Sequence, residues 1–110
     1  MARRYYQTLR EYESVFILKP TLSESEVQSR RQEIKDFIQK KGGQVINITD
    51  WGTKQLAYPI QGFNHGRYFI LHIRSENPQL PNELDFYYKI NENIIRWLNI
   101  QVKGEEKVAQ

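Results

Sequence analysis

The side chains best equipped for recognition are aromatic rings set beside cations. Trp51, Tyr58, Tyr68 and Trp97 have Lys54, Arg67 and Arg96 as neighbours in or beside strand-like segments. Unstacked RNA bases lie on such rings while arginines take phosphates. Trp, Tyr and Arg also anchor protein interfaces, and rings fill cores. Catalytic chemistry finds much less support. His65 and His72 stand in different segments, with no acid or hydroxyl in a catalytic pattern beside either. A two-histidine metal site needs a third ligand that the spacing does not supply. Asp36, Asp50 and Asp85 are scattered, and there is no cysteine. Gly42-Gly43 closes a helix, where a phosphate loop would open one. Gly62 and Gly66 bracket a segment without the lysine and Ser/Thr of a nucleotide cradle. The reading is of no enzyme, no cofactor, no metal and no small-molecule substrate.

The elements that must position these residues fit one domain of 110 residues. The longest apolar runs are four residues, Val15 to Leu18 and Tyr68 to Leu71, whereas a membrane span needs about 20, so no membrane contact is expected. The net charge is +3, and residues 1–10 hold Arg3, Arg4 and Arg10 without an acid, so the rest of the chain is neutral in sum. A basic arm of this kind suits a polyanion, because each cation at a phosphate releases counterions.

Glu11 to Lys19 reads as a strand stopped by Pro20. Ser23 to Lys41 reads as a helix, opened by a Ser23/Glu26 capping box and closed by Lys40, Lys41 and Gly42. Val27, Ile34, Phe37 and Ile38 share its apolar face, thinned in the middle by Arg30 and Arg31. Gln44 to Trp51 is a second strand and Tyr68 to Arg74 a third, with Gly52 to Gly66 between them too long for a tight hairpin. Asn82 to Asn91 is a second helix, with Leu84, Tyr87, Tyr88 and Ile90 on its apolar side. Ile94 to Lys103 is a fourth strand, with Leu98, Ile100 and Val102 on one face and Trp97, Asn99 and Gln101 on the other. Right-handed crossovers in the order βαββαβ give an α+β, ferredoxin-like split β-α-β fold: a four-stranded antiparallel sheet with two helices on one face. The two most apolar strands, first and third, fall at its centre. The expected layout is a flexible basic arm over 1–9, a binding domain over 10–103 and a disordered tail over 104–110.

One stretch carries a specific motif. Gly52-Thr53-Lys54-Gln55-Leu56-Ala57-Tyr58-Pro59-Ile60 resembles the signature of the bacterial-type ribosomal protein S6 family. Arg10-Glu11-Tyr12-Glu13, the strand ending in Lys19-Pro20, Gly66-Arg67-Tyr68 and Asn93-Ile94-Ile95-Arg96 are similar to further family positions. Two departures are Gln61, where a basic or small polar residue is usual, and Lys54-Gln55, with one charge where many members carry two.

The resemblance implies a structural protein of the small ribosomal subunit that binds the central domain of small-subunit ribosomal RNA together with ribosomal protein S18. Its place would be the ribosome, in a bacterial cytoplasm, plastid or mitochondrion. On that reading Arg3, Arg4, Arg10, Lys54, Arg67 and Arg96 contact RNA, and Trp51 and Tyr58, beside an edge strand, anchor the partner protein. The alternative is a single-strand RNA-binding domain of the RNA-recognition-motif type, which shares the element order. It would present aromatics on the open sheet face within a basic-Gly-aromatic run, a pattern that His65-Gly66-Arg67-Tyr68-Phe69 fits poorly.

Overall fold

The chain runs β1 (Tyr6–Leu18), α1 (Glu24–Lys40), β2 (Gly43–Ile60), β3 (Phe63–Ser75), α2 (Leu80–Ile90) and β4 (Ile94–Val108). This computed structural model describes the backbone of residues 6–108 and the side chains of residues 9–102. All neighbouring strands are antiparallel, in the order β2-β3-β1-β4, so the two most apolar strands are indeed central and β2 and β4 are the edges.

Local chemistry sets the helices. The Ser23 hydroxyl accepts from the Glu26 amide at 3.2 Å, and the Glu26 carboxylate accepts from the Ser23 amide at 3.1 Å, which closes the capping box. Gly42, at φ 84°, turns the chain out of α1 in a left-handed conformation. Val27, Ile34 and Ile38 are buried, and the thin middle turn is filled by Arg31, whose guanidinium lies 5.3 Å from the Phe69 ring centre. In α2, Leu80, Leu84 and Tyr88 repeat every four residues and are buried, whereas Ile90, expected on the apolar side, points to solvent.

Both helices cover one sheet face. The rings of Phe16 and Phe69 stack at 5.3 Å, and Tyr88 of α2 tilts against Phe16 at 5.6 Å. A polar chain threads this core. The buried Ser14 hydroxyl donates to Asn99 Oδ1 at 2.5 Å, so its single proton is used, and the Tyr88 hydroxyl must donate to Ser14 at 2.6 Å. Asn99 donates in turn to Asp85 at 2.8 Å. This links α2 to β1 and β4, and burial pushes the Tyr88 hydroxyl well above its usual titration range.

Two expectations are corrected here. The Gly52–Gly66 stretch is the outer half of a hairpin, because β2 extends to Ile60 and turns into β3 through Gln61 and Gly62 alone. Both turn residues have positive φ, 50° and 82°, as a type I′ turn requires. Register shifts hide the pairing from the sequence: Leu56 to Pro59 oppose the single residue Asn64. The strands β1 and β4 are also longer than expected. Tyr6–Leu9 pairs with Glu105–Val108, inside the spans 1–9 and 104–110, and the remainder of those spans, Arg3 and Arg4 included, lies outside the described residues.

The hairpin end reaches back across the end of β1. Leu56 packs with Ile17 and Ile95 in a small second core, and the Gln61 amide donates to the Ile95 carbonyl at 3.3 Å. Gly66 makes this approach possible. A methyl there would run into the Ile17 side chain, with the Leu18 carbonyl and Ile95 close behind. Gly66→Ala should therefore lower stability by about 1–3 kcal/mol through overpacking. Urea unfolding tests this: a lower midpoint at unchanged slope is expected, and an unmoved midpoint would contradict the packing argument.

Candidate nucleic-acid and protein interface

The bulged edge strand β2 carries the exposed rings. Trp51 stands just before Gly52, which takes φ 78°, and the Asp50 carboxylate accepts the Gly52 amide at 2.8 Å to hold that turn. Trp51 and Tyr58 are 51% and 56% exposed, too open to be core. Each has a cation beside it. The Lys54 ammonium lies 5.8 Å from the Trp51 ring centre, and the Arg96 guanidinium 5.7 Å from that of Tyr58, donating to its hydroxyl at 2.6 Å. The second pair joins β2 to β4, the opposite edge, which the curled hairpin brings within reach. Neither cation meets a carboxylate at ion-pair distance among the described residues.

Arg67 behaves differently. Its guanidinium bridges Glu24 of α1 at 2.6 Å and Asp50 of β2 at 2.6 Å, so its charge is neutralised within the fold. Through these pairs it positions Asp50, and through Asp50 the turn that follows Trp51. Arg10 lies opposite Ser75 and Gly104, seven residues along β1 from the Ile17–Arg96 pair, or roughly 23 Å at the rise of a strand. The structure thus gathers Lys54, Arg96, Trp51 and Tyr58 at one end, sets Arg67 apart in ion pairs, and leaves Arg10 at the other end.

The open sheet face also decides against the alternative reading. Its four-strand rows run Asn47–His72–Glu13–Ile100 and Thr49–Ile70–Val15–Leu98, followed by Tyr68–Ile17–Arg96. Single-strand RNA recognition of the alternative type needs stacking rings on both central strands. Here β1 presents Glu13, Val15 and Ile17, and Tyr68 of β3 packs against the Ile17 cluster. The face carries carboxylates and aliphatics instead. Leu98, Ile100 and Val102 form its exposed apolar border, while Trp97 and Asn99 face the helices. Sequence reasoning placed Leu98, Ile100 and Val102 on one face and quoted Glu13 within a motif, but gave neither a role. The alternation along β4 held the signal, since Asn99 and Trp97 occupy the helix-facing parity.

A sequence model of the family described as Ribosomal protein S6 matches residues 11–101. The chain belongs to the ribosomal protein S6 family. It is 57% identical over 103 residues to small ribosomal subunit protein bS6 of Aquifex aeolicus, covering 94% of each chain. It is 38% identical over 90 residues to bS6 of Clostridium novyi, covering 82% of this chain and 94% of that one. The solved 30S ribosomal protein S6 of Thermotoga maritima superposes with a TM-score of 0.80 at 31% identity, covering 84% of this chain and 87% of that one. The family and fold read from the residues are thereby borne out. The protein is a structural component of the small ribosomal subunit, and its place is the ribosome of the bacterial cytoplasm.

The Arg67 bridge has a pH signature. Its hydrogen bonds hold the Asp50 carboxyl below the usual range, helped by the Gly52 amide, and likewise that of Glu24. Depressed folded-state values stabilise the fold above the unfolded carboxylate range, about pH 4, and that contribution disappears as pH falls through the lower folded values. Arg67→Met should flatten the loss of stability between roughly pH 4 and pH 2. Urea midpoints across that window measure it, and equal steepness in both proteins would rule the bridge out as its source.

Proposed function

We propose that this small-subunit protein binds the central domain of small-subunit ribosomal RNA and pairs there with ribosomal protein S18, without catalysing any reaction. The observation that carries this reading is the exposed end of the sheet, where Lys54 and Arg96 each lie against an exposed ring and meet no carboxylate among the described residues. Such cations engage phosphates, which fix orientation without reading sequence, so specificity rests on RNA shape and on the partner. Arg10, at the far end of β1, marks a second point on the same path. Arg3 and Arg4, which lie outside the described residues, are proposed as further RNA contacts. Arg67 supports the site by positioning, not by contact.

Co-sedimentation with small subunits at rising salt tests the RNA half. Lys54→Gln and Arg96→Gln should each reduce the slope of log affinity against log salt by about one unit. Slopes equal to that of the unchanged protein would remove both residues from the interface.

Trp51 and Tyr58 are the anchors proposed for the partner protein, since half-exposed aromatics beside an edge strand dominate interfaces of this kind. Trp51→Ala should weaken association with S18 by about 2 kcal/mol or more. Calorimetric titration of the purified pair reads this, with circular dichroism confirming the fold. Undiminished affinity would exclude Trp51 as the anchor.

A further inference from the structure

We propose that the open sheet face carries a binding pocket for an arginine side chain of a partner polypeptide, with Trp51 as its wall and Glu13 as its charged base. The proposal rests on the reading above, in which a second ribosomal protein docks beside Trp51, and it names the chemistry that partner must bring. The pocket is a cavity of about 260 Å³ lined by Glu13, Asn47, Thr49, Trp51, Ile70 and His72.

Three observations single it out. First, Glu13 is half-buried in the middle of the central strand β1, yet among the described residues its carboxylate accepts no hydrogen bond and meets no cation. Its neighbour on the same face, Glu11, is satisfied instead: His72 Nε2 lies 2.8 Å from it and Arg74 3.9 Å. The nearest basic ring is thus committed to Glu11. A carboxylate left unpartnered on a part-buried side chain is open to a charge-assisted hydrogen bond from an incoming cation. Second, the half-exposed Trp51 indole flanks the cavity. A planar guanidinium stacks on an indole and forks onto a carboxylate at once, which an ammonium does not do. Asn47 and Thr49 offer oxygens for its remaining N–H groups. Third, Leu98 and Ile100 border the same face and stay 57% and 44% exposed, and Ile100 lies directly across from Glu13. An arginine with apolar neighbours in its own chain would cover both features together.

The same charges argue against RNA at this position. Glu13 and Glu11 occupy the centre of the face, where a phosphate would be repelled. Cations stand at its ends.

Photo-crosslinking in assembled particles tests the proposal. The chain is expressed with p-benzoylphenylalanine in place of the bordering Leu98, and in a second version in place of Val102, both exposed and outside the lining of the cavity. Small subunits are isolated, irradiated and digested, and the adduct is sequenced by mass spectrometry. The expected adduct is a peptide of another ribosomal protein that contains an arginine beside apolar residues. Adding Glu13→Gln should cut the adduct yield at least tenfold while leaving the salt slope of subunit binding unchanged. Adducts to RNA or to a second copy of this chain overturn the proposal. So do the absence of an adduct at both positions and a yield that survives Glu13→Gln. If the unsubstituted chain fails to sediment with small subunits, the ribosomal reading itself falls. Sedimentation without the expected adduct refutes only the pocket.

Discussion

Two helices can cover only one face of a four-stranded sheet, and the function of this protein follows from that imbalance. The covered face is held by the Phe16, Phe69 and Tyr88 rings and by the Tyr88–Ser14–Asn99–Asp85 chain of hydrogen bonds. A fully paired polar network inside an apolar core is permissive of only one arrangement, because any slip of α2 leaves a buried hydroxyl unsatisfied. The uncovered face is therefore presented on a rigid platform. Its side chains answer to partners and not to the core.

Within that platform the cations divide by their surroundings. Arg67 has two carboxylates at 2.6 Å and joins α1, β2 and β3 into one unit. Exposed ion pairs contribute little singly, but a bidentate arginine shared between three elements fixes geometry more than it adds stability. What it fixes is the turn after Trp51. Lys54 and Arg96, which meet no acid among the described residues, lie against aromatic rings, and Arg96 spends one N–H on the Tyr58 hydroxyl. Residue type alone does not separate these roles; the placement of Glu24 and Asp50 does.

That distinction marks the boundary of what the residues disclose. The helices were legible in detail, because capping boxes and four-residue repeats are local signals: Ser23 with Glu26, and Leu80 with Leu84 and Tyr88, do what their spacing dictates. Strand order was legible because the apolar runs of β1 and β3 suit only the centre of a sheet. The hairpin was not, since the three extra residues that bulge opposite Asn64 break the two-residue period on which strand reading depends. Motif resemblance singled out the segment of Lys54 and Tyr58 without showing that it is a hairpin, and it could not show that Arg67, in another matched motif, faces two acids from distant segments. Glu13 was quoted only as part of a motif, with no role of its own. A glutamate in a strand is ordinary until the topology places it mid-sheet with its neighbour's histidine already engaged.

The distribution of sign over the open face bears on how one small domain serves two kinds of partner. Positive charge stands at the rim, where Lys54 and Arg96 lie beside the curled hairpin. The carboxylates of Glu11 and Glu13 hold the centre. Over the separation between these zones a salt solution screens much of the field, so on the proposed reading the rim can attract a polyanion with little opposition from the centre. At contact distance the reverse holds, and an acid at the centre excludes a phosphate while favouring a guanidinium. Trp51 stands on the line between the two zones, with Lys54 near its ring and the Glu13 cavity at its flank. A change at that one indole therefore reaches both surfaces, whereas a change at Glu13 or at Arg96 reaches only one. The bulge that seats Trp51 therefore joins the cationic rim to the acidic centre, and the Arg67–Asp50 contact steadies the turn that follows it.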